Sequence, residues 1–239
     1  MNKEGRISKI FTNQIFFLTI LIFILGAVAT IFNPRFLSIQ NLMNILQQNS
    51  ILAIVSIGAA LVMISGNFDI SVGYMVSLAT TVISVLIYNG FNTLFATTTG
   101  FLICILCGLF NGLIIAKTRT PSFIITLASM SIFYGASLIV TGGASHSMGG
   151  KFVFLGRGNL FGVIPMPIVI MVVIFIIIYL LLRFTKLGRR IYAIGGNEAA
   201  AYLSGVDTDT IKIIIYIING ALVGIASLVL VSKLGSAQP

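Results

Sequence analysis

Long apolar runs separated by short polar segments make up most of this chain. The runs cover residues 15–32, 51–64, 74–88, 94–116, 122–140, 163–182 and 211–234. Each run is apolar on all sides, whereas the strands of a membrane barrel alternate apolar and polar residues. A hydrocarbon layer about 30 Å thick needs roughly 20 helical residues to cross it. The pattern therefore predicts an all-α, polytopic transmembrane helical bundle of about seven spans, forming a single domain over residues 1–239.

The first run and the segment that follows it each allow two interpretations. Residues 15–32 follow a basic segment and contain Ala27-Val28-Ala29, which is similar to a signal-peptide cleavage site. The run is longer than a usual signal-peptide core, so we favour an uncleaved first span that Asn33-Pro34 ends. Residues 35–50 mix apolar and polar side chains at helical spacing, so they either lie along the membrane interface or lead into the second run.

The composition excludes an ordinary water-soluble protein. Hydrophobic residues make up 58% of the chain, charged residues 8%, and the mean hydropathy is +1.11. A soluble domain has about 25% charged residues. The net charge of +9 would suggest nucleic-acid binding in a soluble protein, but in a membrane protein it indicates topology, because cytoplasmic loops collect Lys and Arg.

The basic residues predict a cytoplasmic N-terminus. If seven spans alternate from that side, the positions outside the cell are Arg35, Lys151, Arg157 and Lys233. The larger set then lies in the cytoplasm, as the positive-inside rule expects. It consists of Lys3, Arg6, Lys9, Lys117, Arg119, Arg183, Lys186, Arg189, Arg190 and Lys212.

Cysteine and histidine give little reason to expect redox or metal chemistry. Cys104 and Cys107 form a C-x-x-C inside an apolar run, where a thiol usually serves as a small buried side chain. His146 is the single histidine and has no Cys or carboxylate near it in the sequence. We therefore expect no metal site.

A polar interruption between the second and third runs is the first candidate site. Gly66, Asn67, Asp69, Ser71 and Gly73 lie close together there. Asp69 could cap the third helix by accepting from the amide of Ser71 or of the next residue. Alternatively, the break lines a translocation path, because broken helices at membrane depth are tolerated where they are buried in protein or line a cavity. The two roles are compatible.

The polar segment before the last run is the second candidate site. Asn197 is a suitable N-cap, Glu198 complements the helix dipole, and Gly205 can end a short helix. Ala199 and Ala200 begin a smooth face of small residues. Such a helix either docks in a groove on another protein or simply connects two spans.

Three further patterns have structural interpretations. Residues 117–123 contain two basic residues and Pro121, which suits the first turn of a helix. This segment is typical of a cytoplasmic turn. The G-x-x-x-G patterns that begin at Gly108 and Gly220 predict helix-packing faces. The chain has no phosphate-binding G-x-x-x-x-G-K-[ST], no G-x-S-x-G and no H-E-x-x-H, so we expect no ATP hydrolysis or other enzymatic activity from it.

Together these motifs are similar to the permease subunits of bacterial ABC importers for simple sugars, of the ribose, xylose and galactose type, with the ribose branch most alike. The similarity covers essentially the whole chain, and its most specific part is the block from Gly188 to Val206. The matching segments are Asn41-Leu42, residues 67–73, Asn111-Gly112, and residues 121–127, 188–206 and 236–239.

The resemblance implies a pathway formed by two permeases, identical or not, in the bacterial inner membrane. It implies cytoplasmic ATPase subunits that bind the ATP, an extracytoplasmic sugar-binding protein, and no cofactor on this chain. Residues 183–210 would form the cytoplasmic coupling loop. The residues of the loop that contact the ATPase would be Asn197, Glu198, Ala199, Ala200 and Gly205.

The candidates for the sugar path are polar residues that suit sugar hydroxyls. They are Asn67, Asp69, Ser71 and Asn111. Two departures from the family pattern exist: Gly205 follows Glu-Ala-Ala after four residues rather than three, and the family continues past the final Ser-Ala-Gln-Pro. We therefore expect a fragment or truncated product. The alternatives are a secondary carrier or channel without an ATPase, and a membrane anchor that transports nothing.

Overall fold

The structure is a computed structural model that describes residues 14–239. The basic residues Lys3, Arg6 and Lys9 lie outside the described residues, and the cytoplasmic position of the N-terminus stays a prediction. Within the described part the helices are α1 (Gln14–Phe32), α2 (Ile39–Ile64), α3 (Val72–Tyr88), α4 (Thr93–Thr118), α5 (Ser122–Thr141), α6 (Phe154–Arg157), α7 (Met166–Phe184), α8 (Lys186–Gly196), α9 (Glu198–Leu203) and α10 (Thr208–Leu234).

Four strands of two residues each accompany the helices in this part of the chain. They are β1 (His146–Ser147), β2 (Asn159–Leu160), β3 (Ile164–Pro165) and β4 (Ser236–Ala237). Strand β1 pairs antiparallel with β4, and β2 pairs antiparallel with β3. Among the described residues these two pairs are the only sheets, and each has two strands. They connect loops and do not form a layer of the fold.

The predicted all-α membrane bundle is confirmed. Helices α2, α4, α5, α7 and α10 are long and apolar enough to cross a membrane. Two shorter apolar helices, α1 and α3, bring the described part of the chain to about seven spans. The protein is therefore a multi-pass membrane protein.

The structure selects one of the two interpretations of residues 35–50, and it moves the start of one later helix. Helix α2 begins at Ile39, so residues 39–50 lead directly into the second span rather than lying along the interface. Helix α7 begins only at Met166, because the preceding Ile164–Pro165 forms β3 and Pro167 occupies the first turn of the helix. A proline there costs no hydrogen bond, since the amides of the first turn have no partner within the helix.

The chain divides into two compact units, Met1–Leu46 and Gln47–Pro239. In the described part of the first unit, Asn33 follows the end of α1 and its Oδ1 accepts the amide of Arg35 at 3.1 Å. The side-chain amide of Asn41 donates to the carbonyl of Phe36 at 2.7 Å. These bonds hold the turn between α1 and α2.

The second unit is built around the close packing of α4 on α10. A Cβ atom on Gly108 would collide with the carbonyl of Tyr216, and one on Gly220 would collide with the carbonyl of Cys104. Each G-x-x-x-G face thus lies against the backbone of the other helix. The expectation that these patterns are packing faces is confirmed, and Cys104 is a buried free thiol beside them.

The fold places most basic side chains of the second unit at one end, here called the basic end. Helices α2, α4 and α7 end there, while α3, α5 and α10 begin there. Contacts across this end include the backbone of Gly195 against Ile64 and the amide of Phe68 on Ser122. Its basic residues are Lys117, Arg119, Arg183, Lys186, Arg189, Arg190 and Lys212. The opposite end carries Lys151, Arg157 and Lys233.

Replacing Gly108 by alanine tests the packing of α4 on α10. We expect Gly108→Ala to destabilise the protein by about 1–3 kcal/mol, because the added methyl group meets backbone that cannot move aside. The matched control is Gly135→Ala on α5, where a Cβ atom meets nothing within 4 Å. That change should stabilise the helix by about 0.5–1 kcal/mol.

Thermal unfolding in detergent, followed with a thiol-reactive dye, measures both variants. The dye reports unfolding because Cys104 and Cys107 are buried in the folded protein. Equal melting temperatures for the two variants would contradict the close approach of the helices.

Candidate functional site

The non-helical segment between α2 and α3, residues 65–71, is here called the break. Helix α2 ends at Ile64, and Gly66 adopts φ +79°, a left-handed conformation that favours glycine. Ser65, Asn67 and Ser71 are buried in the break. The backbone amides of Ser65, Gly66 and Asn67 donate to carbonyls at the end of α2. Because buried polar groups need partners, the rest of the segment needs hydrogen bonds from other parts of the fold.

A hydrogen-bond network around Asp69 joins the break to α4 and α10. One carboxylate oxygen of Asp69 accepts the amide of Ser71 at 2.9 Å and its hydroxyl at 2.6 Å. The other accepts the side-chain amide of Asn219, on α10, at 2.9 Å. Asn111, on α4, donates to the Ser71 hydroxyl oxygen at 2.9 Å. The structure thus brings together Asp69, Ser71 and Asn111 from the predicted path.

The remaining details of the break differ in part from expectation. The N-cap of α3 is Ser71, whose side chain makes no capping bond, so the idea that Asp69 is the N-cap is wrong. The predicted bond from the Ser71 amide to Asp69 is confirmed. Asn67 stays outside the network, because its side-chain amide donates locally to the carbonyl and hydroxyl oxygens of Ser65 at 3.1 and 3.2 Å.

The backbone of Phe68 is held on both sides. Its amide donates to the hydroxyl oxygen of Ser122 at 2.9 Å, and its carbonyl accepts the hydroxyl of Tyr216 at 2.8 Å. Ser122 begins α5 directly after Pro121, which is the N-cap residue rather than a residue of the first turn. Side-chain hydrogen bonds therefore join the break to three helices besides the two that it connects: α4, α5 and α10.

The second candidate site, helix α9, has the predicted capping. Asn197 Oδ1 accepts the amide of Ala200 at 3.0 Å, and Gly205 adopts φ +84° just after the helix. Ala199 and Ala200 are exposed, but Ala201 is buried in the core. The exposed small-residue face is therefore narrower than the three alanines suggested.

Helix α9 presents large apolar side chains at the basic end. Tyr202 is 66% exposed and Leu203 is 84% exposed. On its other side, the Glu198 carboxylate forms a salt bridge with Lys212, with 2.6 Å between Oε1 and Nζ, and the Lys212 side chain is largely buried. Helix α9 is thus fixed to α10 on one side and uncovered on the other.

Helix α10 starts with its own cap next to α9. Asp207 accepts the amide of Thr210 at 3.1 Å and its hydroxyl at 2.6 Å. These hydrogen bonds from Thr210 lower the pKa of the Asp207 carboxyl below its ordinary value. The carboxylate therefore stays ionised, and its negative charge complements the helix N-terminus.

A cavity of about 670 Å³ lies between α3 and α10 and reaches the start of α3 at Gly73. Its wall includes the polar residues Ser77, Thr80 and Gln238. The Ser77 hydroxyl is buried without a hydrogen-bond partner in the protein. This cavity can offer hydroxyl and amide groups to a small polar ligand.

Within residues 14–239, no group of three or more His, Cys, Asp or Glu side chains could hold a metal ion.

Tyr216 and Asn219, both hydrogen-bond partners of the break, were missed by the sequence analysis. The available signal was their spacing with Lys212, since polar residues at i, i+4 and i+7 share one face of an otherwise apolar helix.

Comparison with known proteins gives a consistent group of relatives. The family described as "Branched-chain amino acid transport system / permease component" matches residues 41–239. The chain is 39% identical over 221 residues to the ribose import permease protein RbsC of Bacillus subtilis, covering 91% of this chain and 68% of the relative.

Two relatives from Escherichia coli K12 extend this group. RbsC is 37% identical over 225 residues, which cover 92% of this chain and 70% of the relative. The D-allose transport system permease protein AlsC is 31% identical over 223 residues, covering 91% and 68%. No solved structure matches the chain.

The replacement of Ser71 by alanine tests the network of the break. We expect Ser71→Ala to lower the free energy of unfolding by about 1–3 kcal/mol, because the half-buried Asp69 carboxylate and the buried Asn111 side-chain amide each lose a partner. The matched control is Ser77→Ala, which removes a buried hydroxyl that has no partner in the protein. Its stability should stay the same or rise slightly.

The melting temperatures of both variants in the same detergent provide the measurement. If Ser71→Ala is as stable as Ser77→Ala, the network does not hold the break.

Proposed function

The chain belongs to the family of branched-chain amino acid transport system permease components, and we propose that it is the transmembrane permease subunit of an ATP-driven importer of a monosaccharide. The relatives named for ribose and D-allose support a sugar rather than an amino acid as the substrate, because they match over 91–92% of this chain. Ribose is the first substrate to test, since its permeases are the most similar of these three relatives.

The proposed partners follow from this assignment. Cytoplasmic ATPase subunits bind and hydrolyse ATP, a binding protein outside the membrane delivers the sugar, and a second permease subunit completes the pathway. No cofactor and no catalytic residue are assigned to this chain. The membrane is the bacterial inner membrane, with the N-terminus in the cytoplasm.

The distribution of charge supports this orientation. The basic end carries seven of the ten Lys and Arg residues of 47–239. Positive charge collects on the cytoplasmic side of membrane proteins, so the basic end faces the cytoplasm. Helix α9 is then on the side where the ATPase is located.

The exposed face of α9 is the observation that carries the proposal. Tyr202 and Leu203 extend from a short capped helix at the basic end, outside the long apolar spans. Large apolar side chains exposed to water are typical of a protein–protein contact. We assign this face, with Asn197, Glu198, Ala199, Ala200 and Gly205 forming the helix and its ends, to the contact with the ATPase.

The cavity between α3 and α10 is the proposed sugar path on the external side. It extends from the end opposite the basic end towards the break, and the polar residues in its largely apolar wall suit sugar hydroxyls. The break, with Asn67, Asp69, Ser71 and the adjoining Asn111, then lies between the cavity and the cytoplasm. When ATP closes the ATPase subunits, movement of α9 switches the cavity between outward and inward access.

Disruption of the exposed face of α9 tests the ATPase contact. We expect Leu203→Asp to abolish co-purification of the chain with the ATPase subunit encoded beside its gene, and to abolish ribose uptake in cells. The matched control is Phe161→Asp, which changes a side chain that is 90% exposed at the opposite end. The control should retain the bound ATPase.

Two outcomes would reject the proposal. Uptake that persists in cells without the ATPase would identify a secondary carrier or channel. An intact complex that takes up no sugar in vesicles would identify a membrane anchor.

Narrowing the cavity tests the sugar path. We expect Ser77→Leu to reduce uptake of radiolabelled ribose by at least about tenfold while the ATPase still co-purifies, because the larger side chain fills space beside the path. The Ser77→Ala variant, which removes only the hydroxyl, should reduce uptake less. Full uptake by Ser77→Leu would show that the sugar does not pass through this cavity.

A further inference from the structure

One face of α10 carries three polar side chains within an otherwise apolar segment. Lys212, Tyr216 and Asn219 occupy positions i, i+4 and i+7, so they are aligned along the same side of the helix. The polar atom of each side chain binds a residue outside α10. We call these three residues the α10 stripe.

The first member of the stripe binds α9. Lys212 is only 7% exposed, and its ammonium group is 2.6 Å from a carboxylate oxygen of Glu198. Among residues 14–239 this is the only salt bridge. A buried ammonium group without its carboxylate is strongly unfavourable, so the two groups resist separation. The first turns of α9 and α10 are therefore constrained to move together.

The other two members bind the break. Tyr216 donates to the carbonyl of Phe68 at 2.8 Å, and Asn219 donates to the Asp69 carboxylate at 2.9 Å. The backbone amides of Ser65, Gly66 and Asn67 still donate to carbonyls at the end of α2, but residues 68 and 69 are bound by side chains of other helices. The position of residues 68–71 therefore depends on α10, on Ser122 of α5, and on the bond from Asn111 to Ser71.

Helix α10 is suited to carry a displacement between these contacts. It is continuous over Thr208–Leu234 and contains no proline. From Lys212 to Asn219 the helix rises by about 10 Å, and a continuous helix of this length moves as a unit. A shift of α9 at the basic end thus reaches the break through a single rigid element.

We propose that the α10 stripe transmits movement of α9 to the break, with Lys212 receiving the displacement and Tyr216 and Asn219 passing it to residues 68 and 69. This inference rests on the proposed function, in which the ATPase moves α9. The three side chains are positioning residues: they couple ATP hydrolysis to the change of access and need not contact the sugar.

The experiment measures sugar transported per ATP hydrolysed in the reconstituted importer. We expect Lys212→Met to keep the bound ATPase and its hydrolysis but to lower this ratio at least about fivefold. The matched control is Lys117→Met, which removes an exposed ammonium group at the same end and should leave the ratio unchanged. Tyr216→Phe removes only the hydroxyl that donates to the carbonyl of Phe68, and it should lower the ratio as well.

Reversal of the charges separates coupling from general damage. Glu198→Lys alone should lower the ratio, and Glu198→Lys combined with Lys212→Glu should restore at least half of it. Labelling adds a direct readout: in a Phe68→Cys background, ATP should change the rate of maleimide labelling at position 68. That change should disappear in Lys212→Met or, if Lys212→Met does not fold, in Tyr216→Phe.

The outcomes distinguish this inference from the proposed function. If the unaltered chain binds no ATPase, the proposed function fails and the inference fails with it. If the ATPase binds and Tyr216→Phe or Lys212→Met transports as much sugar per ATP as the unaltered chain, the inference alone is wrong. It is also wrong if the charge reversal restores nothing while both single variants and the double variant remain folded and keep the bound ATPase.

Discussion

The structure depends on one constraint: a chain segment that interrupts its helix inside a protein cannot complete its hydrogen bonds locally and needs side chains of other elements as partners. The break at residues 65–71 meets this requirement through Ser122 on α5, Asn111 on α4, and Tyr216 with Asn219 on α10. Leaving any of these groups unpaired away from water is expensive. The break is therefore not a loose loop, and its position is tied to the helices around it.

The glycine faces of α4 and α10 make that arrangement possible. Because Gly108 and Gly220 allow the two backbones to touch, Asn111 and Asn219 approach the break from neighbouring helices. The same glycines that serve packing thus set the distance between the two amides and the Asp69–Ser71 pair. A transporter that changes access must move such a closely packed pair as a unit, since overlap of backbones prevents the helices from sliding independently. This is consistent with a rigid α10 that links α9 to the break.

The sequence alone predicted the features that depend on local physics. Apolar runs of sufficient length have few alternatives to spanning a membrane, so the bundle and its seven apolar segments followed directly. Asn197 as a cap and Gly205 as a terminator depend only on neighbouring residues, and both predictions were confirmed. The packing faces at Gly108 and Gly220 were also predicted, because small residues four apart are a property of one helix. Together with the resemblance to sugar permeases, these features already indicated the family.

The tertiary structure decided which polar residues meet. The sequence indicated Asp69, Ser71 and Asn111 separately, but it could not supply Asn219, Tyr216 or the pairing of Glu198 with Lys212, because their partners lie up to 150 positions away in the chain. It also placed the N-cap of α3 at Asp69, whereas the cap residue is Ser71; one Asp69 oxygen accepts the Ser71 amide as expected, and the other is bound by Asn219 on α10. Local chemistry fixes where helices start, stop and cross the membrane. The partners of a buried polar group are chosen only when the helices pack, because that is when water is removed and each group must find a new hydrogen bond.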